Sequence, residues 1–283
     1  MRFVPAFIVA MRQKYFLLLL SLLFVSVAAE AQRRLVWSDE FDYEGRPDSA
    51  RWGFEHGFVR NEELQWYQEE NAYCTGGLLV IEARKDTLVN PFRQERAGDW
   101  RSSRNQAVCT SSSLHTAGKF DFTYGCLEVR ARIPLAKGAW PAIWLLGTEG
   151  EWPDNGEIDV MEFYRKGGVP VIMANAAWGS GRRWEAVWNS VATPLQHFLE
   201  MNADWGTEFH VWRMDWDEEF IVLYLDDELL NKIPLSETGG AESPFHSPFY
   251  ILLNLAVGGI NGGPTAENAW PMRYEIDYVR VYQ

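Results

Sequence analysis

The chain has 283 residues, with 26 basic against 39 acidic side chains, 14 tryptophans and three cysteines. Its formal net charge of −13 argues against nucleic acid, anionic membranes and sulfated polymers as partners, because long-range fields select by sign. Cys74, Cys109 and Cys126 are too few and too far apart for a disulfide scaffold or a zinc site, and read equally well as one bridge plus a buried thiol or as three buried thiols.

In chain order, Met11 to Lys14 form a basic head, Leu17 to Val27 an apolar core and Ala29-Glu30-Ala31 a small-x-small cleavage site. Residues 1–31 therefore read as a signal peptide, and the product as an exported protein, periplasmic or extracellular. The apolar stretch is too short for comfortable membrane insertion. Losing the leader's three basic residues and one acidic residue takes the charge to −15. Residues 32–283 contain no linker, low-complexity tract or repeat, so a single domain and a monomer are expected. Apolar and β-branched runs at 78–83, 125–133, 209–216, 220–225, 249–255 and 274–282, separated by Gly, Pro, Asp and Asn, predict an all-β sandwich. Asp217-Glu218-Glu219 and Asp226-Asp227 read as hairpin turns.

The chemically loaded segment is Gly156-Glu157-Ile158-Asp159-Val160-Met161-Glu162-Phe163. On a helix, residues five apart lie about 140° apart and could not cooperate. On a regular strand, Glu157 and Asp159 share a face while residue 162 points to the other. A β-bulge at Val160-Met161 would return Glu162 to that face, placing three acids together. Two glutamates so placed can approach to the roughly 5–5.5 Å of a retaining glycosidase. Mutual repulsion then keeps at least one proton available near neutrality. On this reading Glu157 is the nucleophile, Glu162 the acid/base and Asp159 the neighbour that tunes proton affinity; a solvated acidic strand edge and a cation site are the alternatives. The five histidines lack metal-ligand spacing, and neither a nucleophile-elbow serine nor a phosphate-binding loop is present, so no catalytic cofactor is expected.

Trp140-Pro141-Ala142-Ile143-Trp144-Leu145-Leu146-Gly147 followed by Trp152 to Glu162 resembles glycoside hydrolase family 16, nearest its laminarinase-type branch, whose E-x-D-x-x-E strand carries the bulge. Leu35 to Phe41, Asn61 to Tyr67, Phe122 to Gly125, Leu253 to Gly259 and Ile276 to Gln283 extend the resemblance in order along the chain. It implies a β-jelly-roll sandwich of two curved antiparallel sheets with a concave substrate cleft, and endo-hydrolysis of neutral β-1,3-glucan or mixed-linkage β-1,3/1,4-glucan. It implies the same three catalytic acids, Trp140, Trp144 and Trp152 along the cleft, and Asn61 and Glu62 at its rim. It also implies a structural calcium between the chain ends, with Glu40 and Asp277 as carboxylate ligands beside carbonyls near Tyr43 or Gly45.

There are departures. Ala177, in Asn175-Ala176-Ala177-Trp178-Gly179, stands where many laminarinase-like members carry a histidine, and a Trp-rich stretch to Trp188 reads as an insertion. Thr110-Ser111-Ser112-Ser113 replaces Thr-Ser-x-Arg, and Gly258 to Gly263 lacks the usual Gly-Gly-Asn-Trp. Indole faces suit the apolar faces of pyranoses. Trp178 is therefore taken as a sugar contact, with Trp184 and Trp188 left open between sugar contact and packing, and Trp37, Trp212, Trp216 and Trp270 assigned to core or rim. An algal galactan hydrolase and a catalytically inactive β-glucan-binding protein are the alternative functions.

Overall fold

A computed structural model describes residues 33–94, 98–267 and 269–283; the expected leader, 1–31, lies outside them. The chain forms a sandwich of two antiparallel sheets, a β-jelly-roll. One sheet runs Glu228–Pro234, Phe220–Leu225, His210–Trp216, Gly125–Arg132, Met272–Tyr282, Leu78–Ala83 and Ala72–Thr75, with Leu35–Asp39 also paired to Met272–Tyr282. The other runs Ala186–Pro194, Val169–Gly179, Glu157–Lys166, Ala139–Gly147, Phe249–Val257, Ser113–His115 and Gly53–Phe54. The six expected strands are present with small shifts at their ends. Asp217 caps its hairpin as a turn aspartate should, its carboxylate accepting from the amides of Glu219 and Phe220 at 2.8 Å each.

Alternation along the strands decides what faces the interior. Ile143 and Leu145, Ile158 and Phe163, and Ile172, Ala174 and Ala176 turn into the core between the sheets, against Leu127, Val129, Trp212 and Met214 of the facing sheet. The intervening residues turn outward and floor the cleft. Ala139–Gly147 is apolar throughout because nearly every residue is buried, on the core side or under the cleft, so it lacks the simple alternation of an edge strand. The Trp-rich stretch forms the hairpin into a further strand, Ala186–Pro194, at the sheet's edge. All three cysteines are buried free thiols, which settles the open alternative in favour of three thiols.

Candidate active site

The acidic segment lies on the strand Glu157–Lys166, and the expected bulge is there. Against Ala139–Gly147, Ile143 pairs with Met161 but Trp144 pairs with Asp159, leaving Val160 over. Against Val169–Gly179, Asp159 pairs with Asn175 and Glu162 with Met173, so two residues oppose one. Val160 and Met161 both bury into the core at 0% exposure, and their burial holds the bulge in place. Glu157, Asp159 and Glu162 consequently share the cleft face with Trp140, Trp144, Trp152, Asn175 and Trp188, around a cavity of about 690 Å³.

Each acid is held by neutral donors. The Trp152 indole N–H donates to Glu157 Oε2 at 2.6 Å and the Trp140 indole N–H to Glu162 Oε1 at 2.8 Å. Asn175 Nδ2 donates to both Asp159 Oδ2 at 3.0 Å and Glu162 Oε2 at 3.1 Å. Donors without charge orient a carboxylate but neutralise little of it. Burial therefore dominates, and adjacent acids add repulsion. Glu162 is pushed up to about 7, by burial first and then by Glu157 and Glu63 against the opposing hydrogen bonds. Asp159, buried at 1% exposure, is carried well above the usual carboxylate range by burial, then by Glu162 and Glu157. Glu157 is also raised by burial, but the Asp159 and Trp152 hydrogen bonds and the Arg60 charge pull it back down. Of the three acids Glu157 has the most support for its charge, with Asp159 next to it and Glu162 beyond the bulge.

The tryptophans divide in a way that composition hides. Trp140 and Trp144 line the cleft but are only 5% and 7% exposed. The Trp144 indole donates to Asn254 Oδ1 at 2.7 Å, Asn254 donates to the buried Tyr67 hydroxyl at 3.0 Å, and the Arg60 guanidinium lies over the Trp144 ring at 4.9 Å. Trp152 and Trp188 are the cleft tryptophans with substantial open surface, at 37% and 46%. The indoles at 140 and 152 thus serve the carboxylates through their N–H groups, whatever their rings touch. Trp212 and Trp216 are in the core, as expected, and Trp37 and Trp270 pack against it.

One expectation needs correction. Trp178 does not line the cleft: it follows Ala177, which pairs with Glu157, so strand alternation turns it away, edge-on to Phe245 at 6.3 Å. Asn61 and Glu63 line the cleft, and Glu62 between them is exposed at its rim. Glu40 and Asp277, expected at a cation site, are each engaged by an arginine. Glu40 is forked to Arg280 at 2.6 and 3.0 Å, and Asp277 is bound by Arg130 at 2.5 Å. Among the described residues no cluster of three or more His, Cys, Asp or Glu side chains that could hold a metal ion occurs.

Sequence reasoning missed Arg60, Glu63, Asn175 and Asn254, and left Trp188 open. The segment that carries Arg60 and Glu63 is seated by glycine: Gly258 and Gly259 have φ of +69° and +66°, and a Cβ on Gly259 would lie 2.6 Å from the Asn61 carbonyl. That close approach lets the Ile260 amide donate to Asn61 O at 3.0 Å and the Leu64 amide to Val257 O at 2.8 Å, fixing Arg60 to Gln65 along the cleft rim.

Comparison with known proteins agrees with this geometry. The family model for glycosyl hydrolases family 16 matches residues 60–280. A beta-glucanase of Rhodothermus marinus is 37% identical over 273 residues, spanning 88% of this chain and 85% of that protein. The laminarinase catalytic domain of Thermotoga maritima superposes with a TM-score of 0.73 at 34% identity, covering 89% of this chain and 98% of that one. An endo-acting O-glycanase from prominent members of the human gut microbiota, of the kind that initiates mucin breakdown, superposes with a TM-score of 0.80. It too is 34% identical, with 89% and 91% of the two chains covered.

Proposed function

The chain belongs to glycosyl hydrolases family 16, and on that premise we propose that it is an endo-acting, retaining glycosidase of β-1,3-glucan or mixed-linkage β-1,3/1,4-glucan, with Glu157 as nucleophile and Glu162 as acid/base. The observation that carries this reading is the bulged strand that gathers Glu157, Asp159 and Glu162 on one face under neutral donors.

In the first step the Glu157 carboxylate attacks the anomeric carbon while the glycosidic C–O bond breaks. The bonding pair leaves on the departing oxygen, which takes the proton held by Glu162. In the second step Glu162, now ionised, removes a proton from water. The water oxygen bonds to the anomeric carbon and Glu157 departs as carboxylate. A protonated Asp159 donates to Glu157, which supports its charge in the free enzyme and its departure in the second step. The expected leader supports export of a single catalytic domain, and its net charge favours a neutral polysaccharide.

A second reading, cleavage within O-linked glycans, is favoured by the higher TM-score to the O-glycanase and by Ala177 at a position where many laminarinase-like members carry histidine. Purified protein incubated with laminarin, barley glucan and gastric mucin separates the two. Short oligosaccharides released from either glucan support the first reading, and release from mucin alone would overturn it.

A further inference from the structure

The strand Ala186–Pro194 contributes two side chains to the cleft that the mechanism does not use, Trp188 and Ser190. Register places them with care. Leu146, Glu157, Ala177 and Trp188 form one row across four strands, and Trp144, Asp159, Asn175 and Ser190 form the next. Paired residues in adjacent strands share a face, so Ala177 is the only side chain between the Glu157 and Trp188 positions in its row. Ala177 is fully buried and does not itself line the cleft, while the indole beyond it stands 46% exposed and does. That indole lines the substrate cleft instead of standing alone on the outer surface.

A second observation lies in the adjoining row. Asn175 is 2% exposed, spends its amide N–H groups on Asp159 and Glu162, and leaves Oδ1 buried without a partner. A buried amide oxygen is rarely left unsatisfied, and at a site wall it marks a place for a donor. The hairpin that carries the strand is also tied across the cleft's end. Arg183 pairs with Glu151 at 3.1 Å, linking it to the loop that presents Trp152.

We propose that this outer strand builds a saccharide subsite on the Glu157 side of the cleft, in which Trp188 stacks the apolar face of a neutral pyranose and the Asn175 amide oxygen accepts one of its hydroxyls. Trp188 is then a specificity-determining residue. With a buried alanine at 177, the exposed indole of Trp188 is the surface this row offers to a sugar, so sugars are sorted here by the shape of their C–H face. The inference rests on the glycosidase reading but not on which polymer is cut.

The test compares Trp188→Ala, Trp188→Phe and Trp184→Ala with the wild type on laminarin, barley glucan and gastric mucin. Cleavage kinetics are followed, with retardation in gels containing each polymer as a separate binding readout. Trp184, 57% exposed near the hairpin tip and outside the cleft lining, serves as the control. Trp188→Ala should raise KM about 10-fold with kcat held within about twofold, Trp188→Phe should recover most of the loss, and Trp184→Ala should match the wild type. Unchanged KM in Trp188→Ala, or a loss in kcat alone, would overturn the subsite. Thermal melting of each variant separates a folding defect from a binding defect, and Trp188→Phe keeps the test decisive if the alanine variant melts early. Retention in a polymer gel that depends on Trp188 without any cleavage would sustain the subsite and sink the glycosidase reading. Neither binding nor cleavage of any polymer would sink both.

Discussion

Two groups of carboxylates in this molecule meet opposite fates. At the cleft, Glu157, Asp159 and Glu162 are held by indole and amide N–H groups, and all three are shifted upward by burial. Near the chain ends, Glu40 and Asp277 are each taken by a guanidinium, and the Arg280 hydrogen bonds hold Glu40 below its ordinary value. Neutral donors fix direction while leaving charge and proton affinity available for chemistry. A paired arginine supplies both direction and charge, and the carboxylate becomes part of the scaffold. The identity of the donor, more than the residue type, separates a reactive acid from a structural one.

The sharpest way to break this contrast is to remove the charge that the cleft preserves. Glu157→Gln keeps the shape and the Trp152 contact but cannot form the covalent intermediate, so kcat should fall by about 10⁴-fold or more. In Glu157→Ala, added azide should restore turnover and yield the glycosyl azide of inverted configuration, detectable by mass spectrometry and NMR. Wild-type activity in Glu157→Gln would remove it from the nucleophile's role.

A smaller effect, on stability, follows from the same upward shifts. An unfolded glutamate ionises near pH 4.3, whereas folded Glu162 keeps its proton until about 7. Between those values the folded state binds more protons than the unfolded one, so the site's contribution to stability is present below pH 4 and is lost as pH rises through 7. Glu162→Gln, which cannot ionise, should therefore stabilise the inactive protein at pH 8 by on the order of 4 kcal/mol, with the gain vanishing at pH 4. Denaturant melts at both pH values measure this, and a gain equal at both would refute the shifted proton affinity. In the active enzyme the same proton should set the alkaline limb of kcat/KM near pH 7.

How much of this was legible in the sequence depends on whether the deciding contact is local. The bulge followed from a five-residue spacing within one strand, since no regular strand puts both glutamates on one face, and the structure has it at Val160-Met161. Trp178 and Trp188 required the register between strands. Once Glu157 is seen to pair with Ala177 and Ala177 with Trp188, parity sends Trp178 to the core and Trp188 to the cleft. Arg60, Glu63 and Asn254 come from segments nearly 200 residues apart, brought together by the Gly258-Gly259 docking surface; no periodicity records that proximity. The arginine contacts of Glu40 and Asp277 were hidden for a related reason. Their arginine partners, Arg280 and Arg130, are distant in sequence from Glu40 and Asp277 respectively, and a carboxylate with a hidden partner looks like one awaiting a cation.

The smallest predicted effect tests the other side of the contrast. The Glu40–Arg280 pair is forked but more than a third exposed at the glutamate, so water screens it and the two side chains lose entropy in holding one geometry. Glu40→Gln should cost no more than about 1 kcal/mol, read as a small drop in Tm. The drop should shrink at high salt, because the attraction lost is that of a partly exposed ion pair. The change in Tm should be the same in calcium as in chelator, because the Glu40 carboxylate is engaged by arginine. A destabilisation that appeared only in the presence of calcium would mean that Glu40 ligates a cation in solution. The guanidinium would then be an alternative partner for the same oxygens, and the division between reactive and structural acids would have to be redrawn around the metal.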